Sequence, residues 1–455
     1  MNIFLLAVKH ESSEMVTFQN GLHLVSSKGE GFRSNITALF IAIFLLIIAC
    51  SPVLAEEGTR LKLVFNDPTY DFQLQRTLGT TLAGGADINE CLSTAHKISE
   101  GDGESWYTHW RGLADRIYRV GEKALAAGHK ITARESFQRA SNYYRTCEFF
   151  LHGNPDDPRI LESWRLSRNA FRKAASLMPY PVEVIKIPYE NTTLPGYFIS
   201  PNRSLVPRKT VIVQTGFDGT AEELFFTRAL FALKRGYNVL LFEGPGQGGA
   251  LREQHLYFRP DWEKVVTPVL DYVLGRPEVD LDKVALMGIS MGGYLAPRAA
   301  AFEHRLAALV ANPGNLDLYV QDRSQLPGMR TDPDENNQYL YKAMESGIGF
   351  RWFIQHGMFA FNSKSPVDFL LTLSQYQMKE LVKQISTNTL CVASKGDHTV
   401  KIEHLRLMYD QLQSDKTFML FTEEEAAGDH CQMGALAISS AKIYDWLDEV
   451  MAQVK

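Results

Sequence analysis

The chain is poor in cysteine. Its five residues of this type, at positions 50, 91, 147, 391 and 431, form no C-x-x-C pair. That spacing excludes a zinc ribbon and a thioredoxin-type dithiol. No group of His, Asp and Glu stands at metal-ligand spacing, so neither a metal nor a cofactor is expected. Excess charge of one sign is also missing. The formal net charge is -5, and no basic stripe with interleaved aromatics is present to meet a nucleic acid. No internal repeat and no low-complexity tract is found. What remains is an ordinary globular composition, 45% hydrophobic and 22% charged. At 455 residues the chain has room for one large α/β domain and an accessory region.

The amino terminus differs in kind. Ile36 to Ala49 is a nearly unbroken apolar run, preceded by Lys28 and Arg33. It falls short of the roughly 20 residues a spanning helix needs but suits the apolar core of a secretory signal. Val53-Leu54-Ala55 is then a partial small-x-small cleavage site. In a second reading Ile47 to Cys50 is a lipoprotein box with Cys50 lipidated, and in a third the segment is an uncleaved anchor. All three place the protein outside the cytoplasm or tethered to a membrane. Residues 1–55 are accordingly set apart as signal peptide or anchor.

Residues 56–180 read as a helical region, opening with an irregular lead-in with short helices that reaches to about residue 105. Leu113, Ile117, Val120 and Leu125 recur at helical spacing, as do Phe137, Ala140, Tyr143, Tyr144 and Cys147. Near Pro181 the period changes. Short apolar runs begin at Val182, Leu194, Lys209, Asn238, Val284, Leu306, Thr389 and Thr417, and helical stretches separate most of them. That alternation predicts an α/β fold over 181–455, with a mostly parallel sheet and helices on both faces. An insertion at about 315–383, carrying Tyr319, Tyr339, Trp352, Phe353 and Phe359, interrupts the alternation and reads as a cap.

Chemistry concentrates at residues 288–292, which read GISMG between an apolar strand and an Ala-rich helix. A serine on such a sharp strand-to-helix turn has its Oγ exposed and the helix N-terminus aimed at the reacting centre. Ser290 is the candidate nucleophile. It needs a base and an orienting acid, each on a loop after a later strand and in the order Ser, acid, His. Asp397 and His430 satisfy that order, against Asp429 as rival acid and His398 as rival base. The oxyanion hole is expected from the amides of Met291 and Phe217, with Gly216 turning the backbone of the loop 215–223 (TGFDGTAEE) inward. Thr220 and Glu223 form a capping-box pattern, which makes Glu223 structural. Glu222 either approaches the pocket or is solvated. The loop 243–249, EGPGQGG, lacks the dinucleotide-binding glycine pattern and reads as a tight turn at the rim of the site.

These stretches, together with GPGQG at 244–248, GDHCQ at 428–432 and RASNYY at 139–144, resemble one subgroup of the α/β-hydrolases. That subgroup includes 2,6-dihydroxypseudooxynicotine hydrolase and the fungal polyketide-shortening hydrolases of pigment synthesis. The resemblance implies an amino-terminal helical domain over the hydrolase core and a triad of Ser290, Asp397 and His430. It also implies a functional glutamate at 222 or 223, and cleavage of a carbon–carbon bond beside a ketone. The expected partner is a small carbonyl substrate, and homo-oligomerisation is left open. Ester hydrolysis is the second reading, peptidase activity the third, and a non-catalytic binding protein of the same fold the fourth.

Overall fold

The computed structural model describes residues 61–318 and 333–454. The expectations about the leading segment, Cys50 included, and about Tyr319 lie outside these residues. Among the described residues no helix is long and apolar enough to cross a membrane.

Five helices come first: α1 (Pro68–Gly79), α2 (Ile88–Ala95), α3 (Gly103–Ala126), α4 (Lys130–Cys147) and α5 (Pro158–Ala175). Aspartates cap four of them locally. Asp67, Asp87, Asp102 and Asp157 each accept backbone N–H bonds from the first turn that follows. Pro158 then sits where a missing N–H costs nothing. The buried stripe of α3 runs through Trp106, Trp110, Leu113, Ile117, Gly121 and Ala124. Val120 and Leu125 were expected on that stripe but are 42% and 39% exposed. The reason is steric. A Cβ on Gly121 would come within 2.8 Å of the Phe137 ring, so α4 approaches along the glycine and leaves the larger neighbours outside. The lead-in holds the short helices α1 and α2 between irregular stretches, as expected.

Eight strands follow: β1 (Val182–Tyr189), β2 (Thr192–Ile199), β3 (Arg208–Gln214), β4 (Asn238–Phe242), β5 (Val279–Ile289), β6 (Ala308–Asn312), β7 (Asn388–Ser394) and β8 (Lys416–Phe421). They make one sheet in the order β1-β2-β4-β3-β5-β6-β7-β8. β1 and β2 form an antiparallel hairpin and β2 pairs antiparallel with β4, while the remaining pairs are parallel. Alternation along the central strands feeds two cores. Val284 and Leu286 enter one, and Ala285, Met287 and Ile289 enter the other. The chain runs from β3 to β4 on one side and then returns to β5 on the other. This reversal opens a crevice at the carboxyl ends of β3 and β5, where such sheets bind ligands. The helices α6 (Ala221–Leu224) and α7 (Leu230–Leu233), joined by one π-turn, follow β3; α8 (Gly248–Arg252) and α9 (Glu263–Leu274) follow β4; α10 (Gly292–Ala300) follows β5.

Within the inserted region lie α11 (Pro333–Ser346), α12 (Ile348–Phe361) and α13 (Pro366–Leu373). The last elements are α14 (Ile402–Gln411) and α15 (Leu436–Gln453). Cys91, Cys147, Cys391 and Cys431 are buried and none is in a disulfide. Cys391 is a small core residue of β7, as its strand-like setting suggested.

Candidate active site

Ser290 immediately follows β5 with φ of +60°, a left-handed conformation that a side chain adopts only under constraint. Its N–H donates to the Asn312 carbonyl at 2.7 Å, and its carbonyl accepts from Gly293 N–H at 2.7 Å. The flanking glycines are steric requirements. A Cβ at Gly288 would fall 1.9 Å from the Gly292 carbonyl oxygen, and one at Gly292 would fall 2.7 Å from the Thr215 oxygen. With the turn so confined, the serine hydroxyl projects into the crevice.

His430 meets it there. The Ser290 hydroxyl lies 2.9 Å from His430 Nε2, and His430 Nδ1 lies 2.7 Å from Asp397 Oδ2. A carboxylate only accepts, so Nδ1 carries the ring proton and Nε2 is left to accept from serine. Thr399, which the sequence did not single out, closes this arrangement. Its hydroxyl donates to Asp397 Oδ1 at 2.8 Å and stands 2.7 Å from His430 Nδ1. Asp397 Oδ1 also accepts from the N–H groups of Thr399 and Val400. Burial opposes the charge of Asp397, but His430 and these donors prevail and hold the carboxyl at about 2. For His430 burial opposes protonation, yet Asp397 outweighs it and moves the imidazole well above its ordinary value. Of the rivals, His398 also lines the cavity and packs edge-on against Phe72 and His430, with ring centroids 4.7 and 5.8 Å apart, but it is His430 that reaches the Ser290 hydroxyl. Asp429 accepts from Gln75 Nε2 at 2.6 Å.

The sign of the histidine shift sets a pH dependence. A base must be deprotonated to act, so kcat/KM is expected to climb with pH and reach half its plateau above about 6.5. Asp397→Asn should move that midpoint downward and cut kcat by roughly 10⁴-fold. A pH–rate profile of both proteins is the check, and a wild-type midpoint at or below the ordinary imidazole value would contradict it.

Gly216 presses against the nucleophile turn, since a Cβ there would sit 2.6 Å from Met291 N. The Phe217 and Met291 amides are therefore neighbours, and among the described residues neither donates to a protein acceptor. The loop behind them is braced from several sides. Gln247 Nε2 donates to the Thr215 and Gly216 carbonyls at 2.9 and 3.0 Å. Because a peptide group is planar, holding Gly216 O also fixes the direction of the Phe217 N–H. Glu243 accepts from Ala221 and Gly249 N–H. Desolvation, together with nearby Glu222, raises its carboxyl to about 7. The 243–249 loop was expected at the rim, but it lies buried behind the oxyanion loop and none of its residues lines the cavity.

The two glutamates exchange the parts expected of them. Glu222 is 2% exposed and neither faces the cavity nor meets solvent; it accepts from the Tyr197 hydroxyl at 2.6 Å under β2. Glu223 lines the cavity. Only half of the capping box forms, with Thr220 Oγ1 accepting from Glu223 N–H. The Glu223 carboxylate is drawn away by Arg76 of α1, which binds both its oxygens at 2.6 Å and reaches Asp218 at 2.6 Å. Arg145 stands 3.6 Å from Glu223. Burial works against both acids, but these arginines keep Glu223 below its ordinary range and Asp218 at about 2. Arg76 was not anticipated from the sequence, because nothing in its spacing on a lone helix shows that α1 reaches the site.

The cavity in front of Ser290 has a volume of about 520 Å³. Phe72, Phe217, Trp352, Phe353 and Leu373 form its apolar wall, so the helical region and the cap each contribute side chains. Among the described residues no three His, Cys, Asp or Glu side chains are grouped to hold a metal.

Residues 99–332 match the family model of FrsA-like esterases, and 224–454 that of the prolyl oligopeptidase family. The hydrolase LUC6 of Fusarium sp is 37% identical over 414 residues, covering 85% of this chain and 97% of its own. The chain belongs to the α/β-hydrolases. A second relative of this hydrolase is the 20-hydroxy-prefusarin hydrolase FUS2 of Gibberella moniliformis, 36% identical over 86% of this chain and 98% of its own. The crystal structure of 2,6-dihydroxy-pseudo-oxynicotine hydrolase superposes with a TM-score of 0.67 at 21% identity, covering 82% of this chain and 95% of that one. This likeness is one of fold. It extends across the helical region as well as the sheet.

Proposed function

We propose that this hydrolase cleaves an acyl bond of a small carbonyl substrate by nucleophilic catalysis at Ser290. The observation that carries the reading is the unbroken line from Ser290 Oγ through His430 to Asp397, opening into the aromatic cavity. His430 Nε2 takes the hydroxyl proton as Oγ attacks the carbonyl carbon. The resulting oxyanion is received by the Phe217 and Met291 amides. The imidazolium then returns its proton to the leaving group, and a water activated by the same nitrogen releases the acyl product.

The bond broken is, in this reading, a carbon–carbon bond beside a ketone. The leaving group of a 1,3-diketone is an enolate, stable enough to depart before His430 protonates its carbon. Glu223 is not the proton source, because Arg76 and Arg145 keep it ionised; it serves to anchor the loop and to give one wall a fixed charge. Two observations support this choice over simple ester hydrolysis: the aromatic wall of the cavity, and the resemblance of the motifs at 216–223, 244–248 and 428–432 to hydrolases that cleave beside a ketone. Ester cleavage needs no such leaving group and is the alternative, which the name of the matching esterase family favours.

The test incubates the protein and its Ser290→Ala variant with aryl 1,3-diketones and short-chain aryl esters, with products identified by mass. Serine-dependent diketone cleavage with slow ester turnover is expected. Ester turnover alone would overturn the carbon–carbon assignment.

A further inference from the structure

A second polar line runs behind the oxyanion loop and plays no part in the triad. Arg252, at the end of α8, donates to Glu148 Oε1 at 2.5 Å, and Glu148 Oε2 stands 2.5 Å from His152 Nε2. His152 Nδ1 lies 2.8 Å from Nδ1 of His356 on cap helix α12, and His356 Nε2 lies 2.8 Å from the Phe217 carbonyl oxygen. All four side chains are at most 6% exposed. Three segments distant in sequence, 148–152, Arg252 and His356, thus converge on one peptide group of the oxyanion loop.

The protons on this line can be counted. At one end the Phe217 carbonyl only accepts, so His356 Nε2 carries a proton. At the other end Glu148 is a carboxylate: burial disfavours its charge, but Arg252 and His152 hold it at about 2. It too only accepts, so His152 Nε2 carries a proton. The bond between the rings needs one more. Three protons over four ring nitrogens make the pair a single cation. The charge belongs on His152, whose Nε2 touches the Glu148 carboxylate at 2.5 Å, whereas His356 meets only a neutral carbonyl and is depressed to about 3 by burial and then by His152. The other charges facing the pair are Asp218 on the loop side and Arg252 on the far side, with Arg145 beyond Glu148.

We infer that His152 is an imidazolium ion-paired with Glu148 and that, through His356, it holds the Phe217 carbonyl and so positions the oxyanion loop. Gln247 fixes the peptide plane before Phe217, and this relay fixes the one after it. With both planes held, the Phe217 N–H stays aimed at the reacting centre without reorganising, the condition under which such donors are most effective. Because His356 belongs to the cap, the loop is completed only when α12 is docked. Trp352 secures that docking by donating to the Phe149 carbonyl at 2.9 Å and stacking on the Phe149 ring at 4.4 Å.

The inference rests on the acyl-transfer reading for its consequence but not for its proton count, and the experiment separates the two. Nitrogen-15 histidine spectra of the full chain, assigned with His152→Gln and His356→Gln, should show three protons on the four ring nitrogens of the pair, two of them on His152. Glu148→Gln should remove the third proton. A wild-type His152 with one ring proton would overturn the inference, whatever the activity. In kinetics, His356→Ala should lower kcat by roughly 10- to 100-fold with little change in KM. His356→Gln, whose amide can donate to Phe217 O, should recover part of the loss. An unchanged kcat in His356→Ala would also overturn it. If a fluorophosphonate fails to label Ser290 in the wild type, the acyl-transfer reading falls while the proton count stands.

Discussion

Replacing Ser290 with alanine is expected to lower kcat by roughly 10⁴-fold or more while leaving the folded protein intact. Besides the two backbone bonds that an alanine would keep, the serine hydroxyl has one polar contact, with His430 Nε2. Its loss therefore strands no buried donor in the core. The positive φ is already present and is not a new strain for alanine. Thermal melting should accordingly change by less than about 1 kcal/mol in stability, typical of half-buried positions without a structural role. His430→Ala should cost about as much in kcat. The double variant should be little worse than either single one, because nucleophile and base act as a unit. Steady-state kinetics on the three proteins, with fluorophosphonate labelling as an independent count of reactive serine, checks the whole set. Retained labelling in Ser290→Ala would remove the nucleophile assignment, and additive losses in the double variant would remove the shared mechanism.

The parts of this site that were legible in the sequence share one property: their constraints are local. Val284 to Met287 reads as a strand because both faces of β5 are buried, and the glycines at 288 and 292 are demanded by atoms within a few residues or on the adjoining strand. The order Ser290, Asp397, His430 follows from which strand each loop ends, so sequence order is enough to place them. What was missed depends on contacts across long separations. Thr220 and Glu223 obey a local capping pattern, yet Arg76, far earlier in the chain, competes for the glutamate and wins because a bidentate guanidinium pair is stronger than one carboxylate–amide bond. Glu222 is buried rather than solvated because Tyr197 of β2 supplies its partner. Val120 and Leu125 were assigned to a core because they are apolar, whereas the closeness allowed by Gly121 decided the packing. His152 and His356 carry no signal at all until the cap folds back on the helical region.

Arg76→Met should be the most destabilising of the substitutions considered, by about 3–5 kcal/mol, because it removes the one guanidinium hydrogen-bonded to both buried carboxylates and leaves only the more distant Arg145. Arg76 is 9% exposed and Glu223 and Asp218 are closely packed around it, so water cannot take its place without opening the site. The loss should depend on pH in a definite direction. In the wild type both acids are held below their ordinary range, so their contribution is present above an unfolded carboxylate value of about 4 and fades as pH falls toward about 2. Without Arg76 the same burial is opposed by Arg145 alone among the arginines, and both acids move upward. The deficit of the variant against wild type should therefore be largest near neutral pH and shrink as acid protonates the stranded pair. Adding Asp218→Asn and Glu223→Gln to Arg76→Met should restore much of the stability, since neutral amides do not need the missing charge. Activity should not return with it, because the wall of the cavity would then lack the charges that hold the oxyanion loop in register. Urea melts across pH on the single and triple variants distinguish this from a simple packing defect: a pH-independent deficit, or a triple variant no more stable than the single one, would show that the network is not held together by charge.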